Sequence, residues 1–98
     1  MQVSFERSGG VIGAPIGLDL DSENLPPAQA AQLRQLIEAA DFFNLPAALP
    51  TVSRPDRFHY QLTIQDGDRQ HQITVGETAI PSSLRPLLDW LMEAVRSQ

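Results

Sequence analysis

Apolar and polar residues alternate strictly at the start of the chain, with Met1, Val3 and Phe5 on one side and Gln2, Ser4 and Glu6 on the other. A period of two with one apolar face is the pattern of a half-buried strand. A second alternation sets Ile16, Leu18 and Leu20 against Gly17, Asp19 and Asp21. Antiparallel pairing of Phe5 with Ile16, Val3 with Leu18 and Met1 with Leu20 brings all six apolar residues to one face. The connection from Arg7 to Pro15 is glycine-rich and exceeds the roughly two to five residues a hairpin needs. Surplus length of this kind suggests a use for the loop. Further on, Phe58, Tyr60, Leu62 and Ile64 alternate with His59, Gln61, Thr63 and Gln65, and Asp66-Gly67 reads as a type I′ turn. Closing there pairs Phe58 with Val75, Tyr60 with Ile73, Leu62 with His71 and Ile64 with Arg69. The opposite face, His59 with Thr74, Gln61 with Gln72 and Thr63 with Gln70, is then polar, as expected of an antiparallel sheet covered on one side.

Between and after these hairpins the period changes. Ala30, Leu33, Leu36 with Ile37, Ala40 and Phe43 recur at three- and four-residue spacing, which predicts a helix with one apolar stripe. Ser22 to Asn24 supply cap-type residues, Pro26 and Pro27 suit a first turn, and Asn44 before Leu45-Pro46 is the expected stop. Leu84, Leu87, Leu88, Leu91 and Val95 predict a second helix, flanked by Trp90 and Met92, with Ser82 or Ser83 as its cap and Pro86 in its first turn. The order strand–strand–helix–strand–strand–helix predicts a two-layer α+β domain (ββαββα), a four-stranded antiparallel sheet with two helices packed on one face. At 98 residues the chain has room for one core, so residues 1–98 are expected to form a single domain. The stretch from Leu45 to Asp56 is aperiodic, holds Pro46, Pro50 and Pro55, and forms a second long loop.

Composition narrows the function. Twelve acids face seven bases, all of them Arg, for a net charge of −5, which argues against binding nucleic acid because phosphate affinity requires clustered Lys and Arg. Without Cys there is no disulfide, no thiolate nucleophile and no cysteine metal site. The N-terminus lacks an apolar signal-peptide core, and no uncharged apolar run approaches the ~18 residues of a spanning helix. A cytoplasmic protein with no membrane association is expected.

The chemistry of a catalytic or metal site is not assembled in the sequence. His59 and His71 fall on opposite faces of their hairpin and cannot share a metal; His71 reads as a histidine hydrogen-bonded at the core edge and His59 as a surface residue. Ser8-Gly9-Gly10 lacks both the G-x-G-x-x-G spacing and the P-loop Lys, and joins two strands instead of a strand and a helix. Neither Ser8 nor Ser82-Ser83 sits in a G-x-S-x-G context. Asp19, Asp21 and Glu23 read as a solvated acidic edge, with a partner's basic patch as the alternative. No cofactor, no metal ligand and no enzymatic activity are therefore expected, and the two long loops become the natural carriers of a binding function.

Four segments carry a resemblance: Glu6-Arg7-Ser8-Gly9-Gly10 after the opening strand, Phe42-Phe43-x-Leu45-Pro46 closing the first helix, Tyr60-x-Leu62-Thr63-Ile64-x-Asp66-Gly67 in the hairpin, and Pro81-x-x-Leu84-x-Pro86-Leu87 opening the last helix. In order and spacing, over nearly the whole chain, these resemble the emfourins, small bacterial proteins that inhibit protealysin-like members of the thermolysin-type zinc metalloproteases. The resemblance implies an inhibitor domain that is a monomer when free and whose partner is such a protease. It also implies a hydrophobic target pocket, since these proteases prefer a bulky apolar residue just after the scissile bond. Val11 and Ile12, between Gly10 and Gly13, are apolar where a loop should be polar, and either enter a partner's pocket or fold back onto the sheet. Leu45, Leu49 and Val52, in a loop stiffened by Pro46, are the competing wedge. The expected protease-binding set is thus Ser8, Gly9, Gly10, Val11, Ile12, Gly13, Leu45, Pro46, Leu49 and Val52, acting by occlusion of the cleft. The alternative from another class is a non-inhibitory interaction or assembly module with a different protein partner.

Overall fold

Each alternating run becomes a strand and each three-four run a helix in the computed structural model, which describes residues 1–9, 15–48 and 58–97. Strands β1 (Gln2–Gly9), β2 (Ile16–Asp21), β3 (Phe58–Asp66) and β4 (Arg69–Gly76) form one antiparallel sheet in the order β2-β1-β3-β4. Helices α1 (Pro27–Ala39) and α2 (Arg85–Arg96) complete the ββαββα order. Val3, Phe5, Leu18, Leu62, Ile64, Ile73 and Val75 bury the sheet's apolar face against Leu33 and Ile37 of α1 and Leu87, Leu88 and Leu91 of α2. The other face, with Ser4, Asp19, Gln61 and Gln72, is exposed. This is the two-layer α+β domain that the periodicity predicts.

Both hairpins differ from their expected register by two residues. Phe5 pairs with Leu18 and Val3 with Leu20, while Arg7 takes Ile16. Leu62 pairs with Ile73, Ile64 with His71 and Asp66 with Arg69. The reason in the second hairpin lies in the turn. Gly67 has φ of 62° and Asp68 does not share the positive region, the sign pattern of a type II′ turn with glycine first. The shift matches Leu62 with Ile73 and gives Asp66 an opposite charge across the strands, which the expected register did not. A slip of two leaves every side chain on its expected face.

The helix ends also differ from expectation. Asp41, with φ of 51°, takes the left-handed stop position expected of Asn44, whose Nδ2 instead donates to Asp41 Oδ1 at 2.7 Å. The reversal drives Phe42 fully into the core and leaves Phe43 half-buried against its ring edge. Neither Ser82 nor Ser83 caps α2. Leu84 occupies that position without a side-chain bond, and the Pro81 carbonyl accepts the N–H groups of both Leu84 and Arg85. Pro86 lies in the first turn, as expected.

Candidate functional site

The register brings the stems of the two long loops to one end of the sheet. Among the described residues β1 outruns its pairing with β2 by two residues, and there it pairs with β3, Ser8 with His59 and Gly9 with Phe58. Ser8 and Gly9, expected in the loop, are therefore strand residues, and Gly9 leaves the strand with φ of 89°, a value that favours glycine. The residue that enters the first loop is thus the direct neighbour of the residue that leaves the second. The second loop departs toward the same end. His71 Nε2 donates to the Leu45 carbonyl at 2.6 Å, Thr74 N–H donates to the Ala47 carbonyl at 3.0 Å, and Ala48 bridges Thr74 in parallel. Residues 45–48 therefore run beside β4 toward Gly76, the partner of His59.

Aromatic and charged groups set the rim from which these loops emerge. The Arg7 guanidinium lies 4.3 Å over the Phe58 ring, joining the two stems side chain to side chain as well as through the ladder. Glu77 accepts the Phe58 N–H at 3.1 Å, tying the same stem to the short turn Glu77–Ala79. Tyr60 stacks on Phe5 at 6.0 Å and anchors the rim to the core. Burial pushes the Tyr60 phenol above its ordinary value, with Glu77 adding to the rise and the charges of Arg7 and Arg85 and a hydrogen bond from Arg7 opposing it. The phenol therefore stays neutral, and the rim presents Arg7 and Arg85 against Glu77.

The opposite end has a different character. A cleft of about 600 Å³ there is walled by Arg34, Asp66, Arg69, Phe43 and His71. Three of its charged groups engage one another: Arg34 and Arg69 both reach Asp66 Oδ2, at 3.3 and 3.1 Å, and Arg69 stacks on Phe43 at 4.3 Å. We read it as a clamp fastening α1 to the hairpin turn. Among the described residues no group of three or more His, Cys, Asp or Glu could hold a metal ion.

Of the ten expected binding residues, Ser8, Gly9, Leu45 and Pro46 lie in the described structure. Ser8 and Gly9 form the first stem, Leu45 packs against the core while its carbonyl serves His71, and Pro46 is exposed. Gly10, Val11, Ile12, Gly13, Leu49 and Val52 lie outside the described residues. Arg7, Phe58 and Glu77 were not singled out as site residues in the sequence. Their pairing depends on register between segments about fifty residues apart, and local pattern carries no signal of it.

The Emfourin family model matches residues 5–92, which includes all four strands in whole or part and most of α2. No curated protein and no solved structure matches the chain.

Proposed function

The chain belongs to the Emfourin family, and from that membership we propose that it is a proteinaceous inhibitor that reversibly occludes the active-site cleft of a thermolysin-like zinc metalloprotease, with residues 1–98 acting as one inhibitor domain. The observation that supports this reading is the pairing of Gly9 with Phe58, which puts the stems of both long loops side by side. Two loops on one end can enter one cleft together, whereas loops at opposite ends could not. The stems behind them are held in the sheet ladder, Ser8 by His59 and Gly9 by Phe58.

In this reading Val11 and Ile12 form the apolar tip, with Ser8, Gly9, Gly10 and Gly13 allowing close backbone approach. Leu49 and Val52 of the second loop flank the tip, and Leu45 and Pro46 fix where that loop begins. Occlusion requires no strong bond to the protease zinc, and residues 10–14 and 49–57 contain neither Cys nor His.

The test is titration into a thermolysin-like protease with a peptide substrate. Stoichiometric loss of activity is expected, and absence of effect on several such proteases sinks the proposal. Replacing Val11 and Ile12 together with Asp should weaken inhibition by at least about tenfold, as burying charge in an apolar pocket demands, while leaving Tm unchanged. Unaltered inhibition rejects that loop as the wedge, and the same change at Leu49 and Val52 then examines the other.

A further inference from the structure

The sheet ends at β2. β2 ends the order β2-β1-β3-β4, and among the described residues no strand pairs on its outer side. Ser22 N–H donates to the Met1 carbonyl at 2.9 Å, and this bond fixes the alternation of the whole β1–β2 ladder. Ile16, Leu18 and Leu20 turn their backbone groups inward to β1, so Gly17, Asp19 and Asp21 turn theirs outward. The other edge is treated differently, since residues 47–48 partly cover β4.

Three features at this edge point to the same kind of occupant. On the helix side the edge is continuous with a groove of about 300 Å³, lined by Leu18, Leu20, Leu25, Trp90 and Ala94. On the exposed side Asp19 projects beside a depression of about 520 Å³ that also takes in Ser4, Thr63 and the half-buried Asp21, whose Oδ1 accepts the Glu23 N–H at 3.0 Å. Gly17 has an ordinary φ, and a Cβ there would come no closer than 3.9 Å to the Phe5 carbonyl, so neither backbone nor packing requires glycine at this edge position. An added strand alternates its side chains between the two faces. One set would enter the groove, whose apolar floor is edged by Gln29, Gln32, Glu93 and Ser97, and the other would stand opposite Asp19 and Asp21.

We infer that β2 is a docking edge for an extended protein segment of alternating apolar and basic residues, which adds as a fifth strand. Charge decides against a second copy of this chain. Antiparallel self-pairing of β2 centred on Asp19 sets that carboxylate opposite its own copy, and like charges directly opposed across strands are destabilising. Acidic side chains on an exposed edge guard against self-association and at the same time select a basic partner.

The probe is a short capped peptide of alternating Lys and Val, titrated into the ¹⁵N-labelled full chain. Saturable shifts of the Asp19 and Asp21 amides are expected, together with slowed hydrogen exchange at those amides. Reversing both charges, Asp19→Lys with Asp21→Lys, should weaken peptide binding by about tenfold or more. Asp19→Pro removes an outward-facing N–H without touching the inner ladder, and should abolish binding with the fold intact by its spectrum. Shifts spread away from β2 overturn the inference. So do equal binding of an alternating Glu and Val peptide, or self-association through β2 without any peptide. Because the readout at Asp19 and Asp21 does not use the loop tips, its failure would leave the inhibitor proposal standing, and failure of inhibition would leave this edge standing.

Discussion

His71 is the side chain on which the second loop hangs. Its ring lies edge-on to Phe42 at 5.5 Å, and its Nε2 hydrogen bond holds the Leu45 carbonyl. Removing the donor leaves that half-buried carbonyl without its partner. We expect His71→Ala to cost about 1–2 kcal/mol, a fall of roughly 5–10 °C in Tm for a domain of this size by thermal denaturation. Asp66 is the corresponding residue at the other end. Burial pushes its carboxyl up, but hydrogen bonds and charge from Arg69 and Arg34 outweigh that and hold it below the ordinary 3.8. A depressed folded-state value means the stabilisation is fully present above the unfolded value and is lost as pH falls through the folded one. Asp66→Asn should therefore be less stable than the parent near neutrality, by about 1 kcal/mol or less because both arginines are exposed. The difference should vanish in acid below the ordinary carboxylate range, and denaturation across a pH series measures both.

At the scale of elements, periodicity identifies the four strands and two α-helices of the described residues, but their ends are decided by particular backbone positions. The stripe of α1 continues in sequence to Phe43, yet the helix stops at Ala39 because Asp41 adopts the left-handed conformation. Asp and Asn both tolerate that region, so local propensity does not choose between Asp41 and Asn44. What separates them is that reversal at Asp41 buries Phe42, a tertiary gain. Asp41→Ala keeps the left-handed strain and loses the Asn44 bond, whereas Asp41→Gly relieves the strain. The glycine variant should be more stable than the alanine variant by about 1 kcal/mol, read from their denaturant midpoints.

Across the whole molecule, the loop rim and the acidic clamp are separated by the length of β3, about 26 Å for its run from Phe58 to Asp66. Asp66, Asp68, Glu38 and Asp41 surround the clamp, while Arg7 and Arg85 flank the rim. Much of the negative charge counted in the sequence thus faces away from the proposed binding end. The rim also couples the two loops through Arg7 and Phe58. Either Arg7→Gln or Phe58→Leu removes the cation–π contact, and each should weaken inhibition by about two- to fivefold. The double variant should do little more than either single one, because the two side chains make one interaction. Asp66→Asn should leave the inhibition constant unchanged.

The apolar face of each strand, the order of elements and the two-layer architecture are all legible in the periodicity of the chain. The sequence also establishes the lack of cysteine and the presence of two loops longer than their connections require. These properties survive because side chains repeat every two residues along a strand, so a register slip of two, as in both hairpins, moves no residue to the wrong face. The register itself, the place of Ser8 and Gly9 in a strand instead of a loop, and the meeting of Gly9 with Phe58 emerge only on folding. Register answers to turn geometry and to pairing between distant segments, and neither is written in a local pattern. The free β2 edge follows from the same cause, since an edge exists only once the strand order is known.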